Sequence, residues 1–180
     1  MPLPAPVERE VLHRRTIEVV GYRRRDQLWD IEAHLVDVKA NTYANAWRGE
    51  VLPGDPVHDM SLRLTVDANF KICALDVASD KNPYPTCSEA TSAFAQLVGL
   101  TIGPGWKKTV KEHVGRAAGC IHLAELLGPI GSVMFQTILP FLYDKGTFDK
   151  QPRPGLIDSC YAYRRGGDVV RYLWPNLPAE

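Results

Sequence analysis

The sequence predicts an α+β fold: an antiparallel β-sheet in the N-terminal half, with helices packed on one face in the C-terminal half. Three observations carry this expectation. Between residues 16 and 77 polar and apolar side chains alternate with the period of a strand. From Ser88 onward the apolar residues fall at helical spacing instead. Strands come first and helices later, without the strand–helix–strand alternation that builds a parallel sheet. At 180 residues the chain has the length of a single domain able to bury a sizeable core. Its expected parts are an irregular arm over 1–10, a mainly β stretch over 11–80, a mainly α stretch over 88–143 and a tail over 145–180.

The arm carries Pro2, Pro4 and Pro6. A first strand is expected at 16–24, with Ile17, Val19 and Gly21 on one side and Glu18, Val20 and Tyr22 on the other, because successive side chains point to opposite faces. Asp26-Gln27 supplies the turn, without the glycine that usually marks a hairpin. The second strand, 28–38, puts Trp29, Ile31, Ala33 and Leu35 on one face and Asp30, Glu32 and His34 on the other. Pro53-Gly54-Asp55-Pro56 punctuates the chain before a third strand at 57–67, where His58, Met60, Leu62, Leu64 and Val66 share a face. Ala68-Asn69 closes a hairpin into a fourth strand at 70–77. Ser88 is the expected N-cap of a helix that carries Ala93, Phe94 and Leu97 and ends near Gly99. A short helix follows from Trp106 to His113. A longer helical stretch opens near Gly119, and Pro129 and Pro140 are expected to kink or end it. In the tail, Val169 to Trp174 reads as a last strand.

Hydrophobic residues make up 45% of the chain and charged residues 23%, an ordinary globular composition. Lys plus Arg and Asp plus Glu number 21 each, so the net charge is zero, which argues against a nucleic-acid binder with its usual basic excess. The start of the chain has neither the basic nor the apolar region of a signal peptide. The apolar run from Leu123 to Leu142 is interrupted by Glu125, Gly128, Pro129, Gly131 and Gln136, and a buried helix rather than a membrane span is expected there. Cys73, Cys87, Cys120 and Cys160 are then expected as free thiols in a cytoplasmic protein.

Several familiar chemistries lack their motifs. No GxGxxG follows a strand, no GxxxxGK[ST] or GxSxG is present, and no CxxC pair suggests a structural zinc. Three polar groupings remain. In Gly119-Cys120-Ile121-His122-Leu123-Ala124-Glu125, His122 and Glu125 stand three residues apart and share a helix face. Such a pair can bind a metal, or the carboxylate can orient the imidazole as acid or base. A local hydrogen bond at a helix start is the commoner outcome for an isolated HxxE. Cys120 lies about 200° around a regular helix from His122, so both reach one centre only where the helix begins. His58 sits on the apolar face of its strand, where a titratable ring needs a reason to be; a hydrogen-bonded core histidine is the ordinary one. The functional alternative gains from His122, expected on an element packed over the same sheet, since a shielded pair of imidazoles suits proton transfer. Tyr22-Arg23-Arg24-Arg25, running into Trp29-Asp30-Ile31-Glu32, offers an arginine to fork onto a substrate carboxylate; a cross-strand salt-bridge ladder is the competing outcome. Trp106 after Gly105 is a core plug or a pocket wall.

The residues His13-Arg14-Arg15, Gly21-Tyr22-Arg23-Arg24, Trp29-Asp30-Ile31-Glu32 with Asp37, His58-Asp59-Met60, Gly105-Trp106 and Gly119-Cys120-Ile121-His122-Leu123-Ala124-Glu125-Leu126 make the chain resemble a bacterial family catalogued as a domain of unknown function, number 2889. The resemblance runs from about His13 to Thr137, and the last string is its most specific part. It implies a cytosolic bacterial protein with relatives near genes for aromatic-compound breakdown, and it carries over no catalytic residue. Arg25 stands where the family tends to have a second acidic residue, and Ile121 where it tends to have threonine.

The expectation is a small-molecule enzyme using acid–base chemistry without an organic cofactor, a lyase or isomerase acting on an aromatic or carboxylated metabolite. His122 and His58 are the expected proton-transfer groups and Glu125 the residue that orients His122. Arg23, Arg24, Tyr22, Trp29, Trp106 and Cys120 are the expected substrate contacts. Two alternatives stand beside it. One is a metal-dependent enzyme with His122, Glu125 and His58 as ligands. The other is a non-enzymatic ligand-binding or assembly module. The expected partner is a small molecule, with no nucleic acid or membrane, and a homodimer is compatible with the sequence.

Overall fold

In the computed structural model, which describes residues 3–144, 152 and 155–178, the N-terminal half forms an antiparallel sheet. Its strands are β1 (His13–Arg23), β2 (Trp29–Lys39), β5 (Pro56–Val66) and β6 (Ile72–Lys81), hydrogen-bonded in the order β1-β2-β5-β6. A second, two-stranded ladder of β3 (Tyr43–Asn45) and β4 (Gly49–Val51) is inserted between β2 and β5. The sequence did not announce this small hairpin. Asn45 builds it, its side-chain oxygen accepting the backbone N–H groups of Trp47 and Arg48 at 2.9 Å each. Arg48 then donates from Nη1 to the carbonyls of Pro56 and Val57, at 2.8 and 3.3 Å, and ties the insertion to the start of β5.

The four strands expected between residues 16 and 77 are present, shifted at their ends. The β1–β2 turn closes without glycine because Gln27 takes the left-handed backbone region (φ 66°). Arg24 N–H donates to the Leu28 carbonyl at 2.9 Å across it. After β5, Asp67 Oδ1 accepts from the N–H groups of Asn69 and Lys71 at 2.8 and 3.0 Å. Phe70 is left-handed (φ 64°), so the last strand begins at Ile72, later than the expected residue 70.

One face of the sheet carries the core. Trp29, Ile31, Ala33 and Leu35 of β2 and Met60, Leu62, Leu64 and Val66 of β5 are buried there. The long α2 (Ile121–Asp144) lies on that face and buries Leu123, Leu126, Leu127, Ile130, Met134 and Ile138 at helical spacing, while α1 (Trp106–Val114) packs against α2 and the 85–97 segment. The Ile121–Leu142 stretch is by length and composition apolar enough to cross a membrane; in this fold it is the helix that covers the sheet. It crosses β1 closely, since a Cβ on Gly21 would meet Thr137 Oγ1 at 1.9 Å.

Three expectations about the helical half are corrected. The stretch Pro85–Leu97 is a 3-10 helix, and Ser88 does not cap it. Ser88, Thr91 and Ser92 each donate their hydroxyl to the carbonyl three residues back, at 3.2, 2.7 and 2.9 Å. That bonding competes with the α-helical ladder and favours the tighter form. Neither Pro129 nor Pro140 ends α2. Both prolines, and Glu125 and Gln136 four residues before them, are on the exposed side, where a carbonyl without its usual donor meets water. The expected last strand at Val169–Trp174 is instead α3 (Asp168–Leu173). An ion pair between Asp168 and Arg171 (2.7 Å), three residues apart, supports it, and Val170 alone is buried. Residues 145–151, 153–154 and 179–180 of the expected tail lie outside the described residues.

Candidate active site

The core face does not stay apolar to the end of the sheet. Strand parity carries it on from Ile17 to Arg15 and His13 in β1, from Leu35 to Asp37 in β2, and from Met60 to His58 in β5. Register then sets these residues in one row, since Arg15 pairs with Asp37 across β1 and β2, and Asp37 with His58 across β2 and β5. The first turn of α2 lies over the row and supplies His122 and Glu125.

Asp37 is the hub, with a side chain 1% exposed. Its Oδ1 accepts from Arg15 Nε at 2.8 Å and from His13 Nε2 at 3.3 Å. Its Oδ2 accepts from Arg15 Nη2 at 2.7 Å and from His58 Nδ1 at 2.9 Å. Burial alone would raise the Asp37 pKa. The hydrogen bonds from Arg15 and His58 and the guanidinium charge outweigh it and hold the carboxyl at about 2. An ionised carboxylate only accepts, so the proton of His58 sits on Nδ1 and its Nε2 carries the lone pair.

His122 lies directly against His58. The ring centroids are 3.8 Å apart and the planes 33° from parallel, which is van der Waals contact and leaves no room for a molecule between them. The pKa of His58 is lowered by burial, with Asp37 opposing that shift. His122 is lowered by burial, then by the positive charge His58 would carry, then by Arg15. Both rings are therefore biased toward the neutral, lone-pair form near neutral pH. Cys120 Sγ stands 3.9 Å from His122 Nδ1.

The structure thus brings His58 and His122 together, as expected from the sequence, sets Cys120 beside His122 where the helix begins, and changes the other assignments. Glu125 pairs with Arg15 Nη1, not with His122, since a guanidinium within reach makes the stronger charge-assisted bond. Arg23 and Arg24 are at the far end of the β1–β2 hairpin. Arg23 lies over the Phe141 ring at 4.8 Å, and Arg24 pairs with Asp26 and Asp30. The arginine of the site is Arg15. Tyr22 faces the opposite side of the sheet, where it lines a cavity of about 380 Å³ with Glu18, Glu32, His34 and Arg63. Trp29 and Trp106 are core residues, and Trp106 Nε1 donates to the Leu127 carbonyl at 3.0 Å. Sequence reasoning missed Asp37, Arg15 and His13 as site residues. The available signal was parity: Asp37 continues the series 29, 31, 33, 35, so a carboxylate was due on the apolar face.

Fold and site define an α+β protein with a buried carboxylate–histidine row at one end of its sheet and a second histidine stacked on it. The chain belongs to the family described as Protein of unknown function (DUF2889), whose model matches residues 13–136, a span that begins at His13 and takes in every residue of the row. No curated protein and no solved structure matches the chain.

Proposed function

We propose that this chain is a small-molecule enzyme that works by acid–base chemistry centred on Asp37, His58 and His122, of the elimination or isomerisation type. The observation that supports it most is the 2.9 Å bond from His58 Nδ1 to Asp37 Oδ2. A buried carboxylate that holds one tautomer of an imidazole and steadies its charge when protonated is the arrangement by which a histidine serves as general base. His122, in contact with His58 and also biased neutral, is placed to take or return the second proton. Reactions that remove a proton from carbon and give it back use such a pair and need no organic cofactor. Arg15 is engaged by Asp37 and Glu125, so its role is to position the carboxylate rather than to anchor a substrate.

The test uses exchange rather than a known product. The protein is incubated in D2O with a panel of carboxylated and aromatic metabolites, and proton loss at carbon is followed by NMR. Exchange or turnover of at least one compound is expected, together with its loss in His58→Gln. Exchange that proceeds undiminished in His58→Gln, or its absence across the panel, counts against the reading.

A further inference from the structure

We infer that His58 and His122 together hold one divalent transition-metal ion, with the Asp37 carboxylate behind His58 as its outer-sphere support. Three observations converge on this. First, one donor atom from each of Asp37, His58 and His122 lies within 4.8 Å of the others. Two imidazole nitrogens bound to one ion at about 2.0–2.1 Å stand about 3–3.5 Å apart, so rotation of the half-buried His122 ring has to bring its free nitrogen closer to that of His58. Second, among the described residues neither Nε2 has a hydrogen-bond partner, while His58 Nδ1 is bonded to Asp37 and His122 Nδ1 stands by Cys120. A carboxylate on the far nitrogen of a histidine fixes the tautomer and turns the near nitrogen toward a metal, which is the common outer-sphere arrangement of histidine ligands. Third, the charges that face the rings compensate a cation. With both histidines neutral, Asp37 and Glu125 outweigh Arg15 by one negative charge, and His13 beside Asp37 adds one positive charge only when protonated.

Asp37 is not itself a ligand, because Arg15, His13 and His58 already occupy both of its oxygens. The donor set is therefore two nitrogens with the remaining positions open to water and substrate. Imidazole donors select Zn2+, Co2+ or their neighbours over Mg2+ and Ca2+. The inference rests on the proposed site and reassigns its base: with both Nε2 lone pairs on the ion, ionised water held there would do the work given above to the free imidazoles, and the ion would polarise a substrate oxygen.

Protein stripped of metal is titrated with Co2+ alone, followed by visible absorption and by calorimetry. One Co2+ per chain is expected, and Zn2+ displaces it. His58→Gln and His122→Gln each weaken binding by more than about tenfold, and Asp37→Asn by about 10–100-fold, the range for an outer-sphere carboxylate. His122 is half-buried at the helix start, so its variant keeps the core should His58→Gln fail to fold. His34→Gln, on the opposite face beside Asp59, leaves binding unchanged. Absence of Co2+ binding, binding that survives His122→Gln, or binding lost in His34→Gln overturns the inference. Deuterium exchange separates the two readings. Exchange that persists in metal-free protein and dies in His58→Gln sinks the metal and keeps the acid–base site. Co2+ binding without exchange of any compound keeps the metal and sinks the acid–base site.

Discussion

Asp37 and His58 stand opposite each other on neighbouring strands, and the imidazole Nδ1 donates to the carboxylate Oδ2 at 2.9 Å. The pairing is set by backbone register, so the orientation of His58 is a property of the sheet rather than of a mobile loop. On the other side of Asp37, Arg15 is its register partner in β1 and binds both oxygens. The row is rigid from below, and α2 brings only His122 and Glu125 from above.

The two histidines make stability depend on pH in a defined window. Their folded pKa values lie below the ordinary value of 6.5, so the fold favours the neutral rings. Stability from this source is present above 6.5 and is lost as pH falls through that value toward the folded ones. Urea unfolding at pH 7.5 and 5.5 is expected to show a loss in the wild type that shrinks in His122→Gln. An equal loss in both proteins contradicts it.

Asp37 acts in a separate, lower window. Its pKa falls from 3.8 to about 2, so the stability it contributes is present above 3.8 and lost as pH drops toward 2. The shift corresponds to about 2 kcal/mol. Asp37→Asn is expected to flatten the acid limb of the stability curve between pH 4.5 and 2; an unchanged limb refutes the assignment.

Arg15→Met leaves the buried Asp37 carboxylate without its guanidinium. A loss of about 1–3 kcal/mol near neutral pH is expected, since the buried carboxylate loses its charge-assisted hydrogen bonds while His58 and His13 stay on it. The Asp37 pKa rises in the same variant, measurable by carboxyl NMR titration. A cost below about 1 kcal/mol, as for an exposed ion pair, sinks the argument.

Gly21→Ala drives a Cβ into Thr137, whose Oγ1 and Cβ are 1.9 and 2.8 Å from that position. Overpacking of this kind costs about 1–3 kcal/mol, and it lifts α2 from β1. Gly21→Ala/Thr137→Ala should recover part of the loss. A thermal melt in which Gly21→Ala matches the wild type contradicts the close approach.

None of the four cysteines is paired: Cys73, Cys87, Cys120 and Cys160 are all free. Titration of denatured, unreduced protein should find all of them as thiols, and a lower count is the contrary result.

The sequence by itself determined the order of strands and helices, because alternation in β1, β2, β5 and β6 and helical spacing in α2 are local properties of the chain. It also marked His58 as anomalous, a titratable ring in an apolar series, and the tertiary structure set His122 against it. Local turn chemistry was harder to read. Gln27 and Phe70 adopt left-handed backbones that their residue types do not advertise, and the hydroxyls that tighten residues 85–97 are ambiguous as caps. Only the tertiary structure decided which charges meet. Arg15, Asp37 and His58 are far apart in the chain, and their alignment depends on register, which alternation limits to odd or even pairing but does not fix. The arginines that looked most prominent, Arg23 and Arg24, lie at the other end of the same hairpin, because an antiparallel pair of strands carries its turn to the end opposite its termini. The partner of Glu125 was likewise settled by where α2 lands on the sheet, which brought Arg15 within its reach.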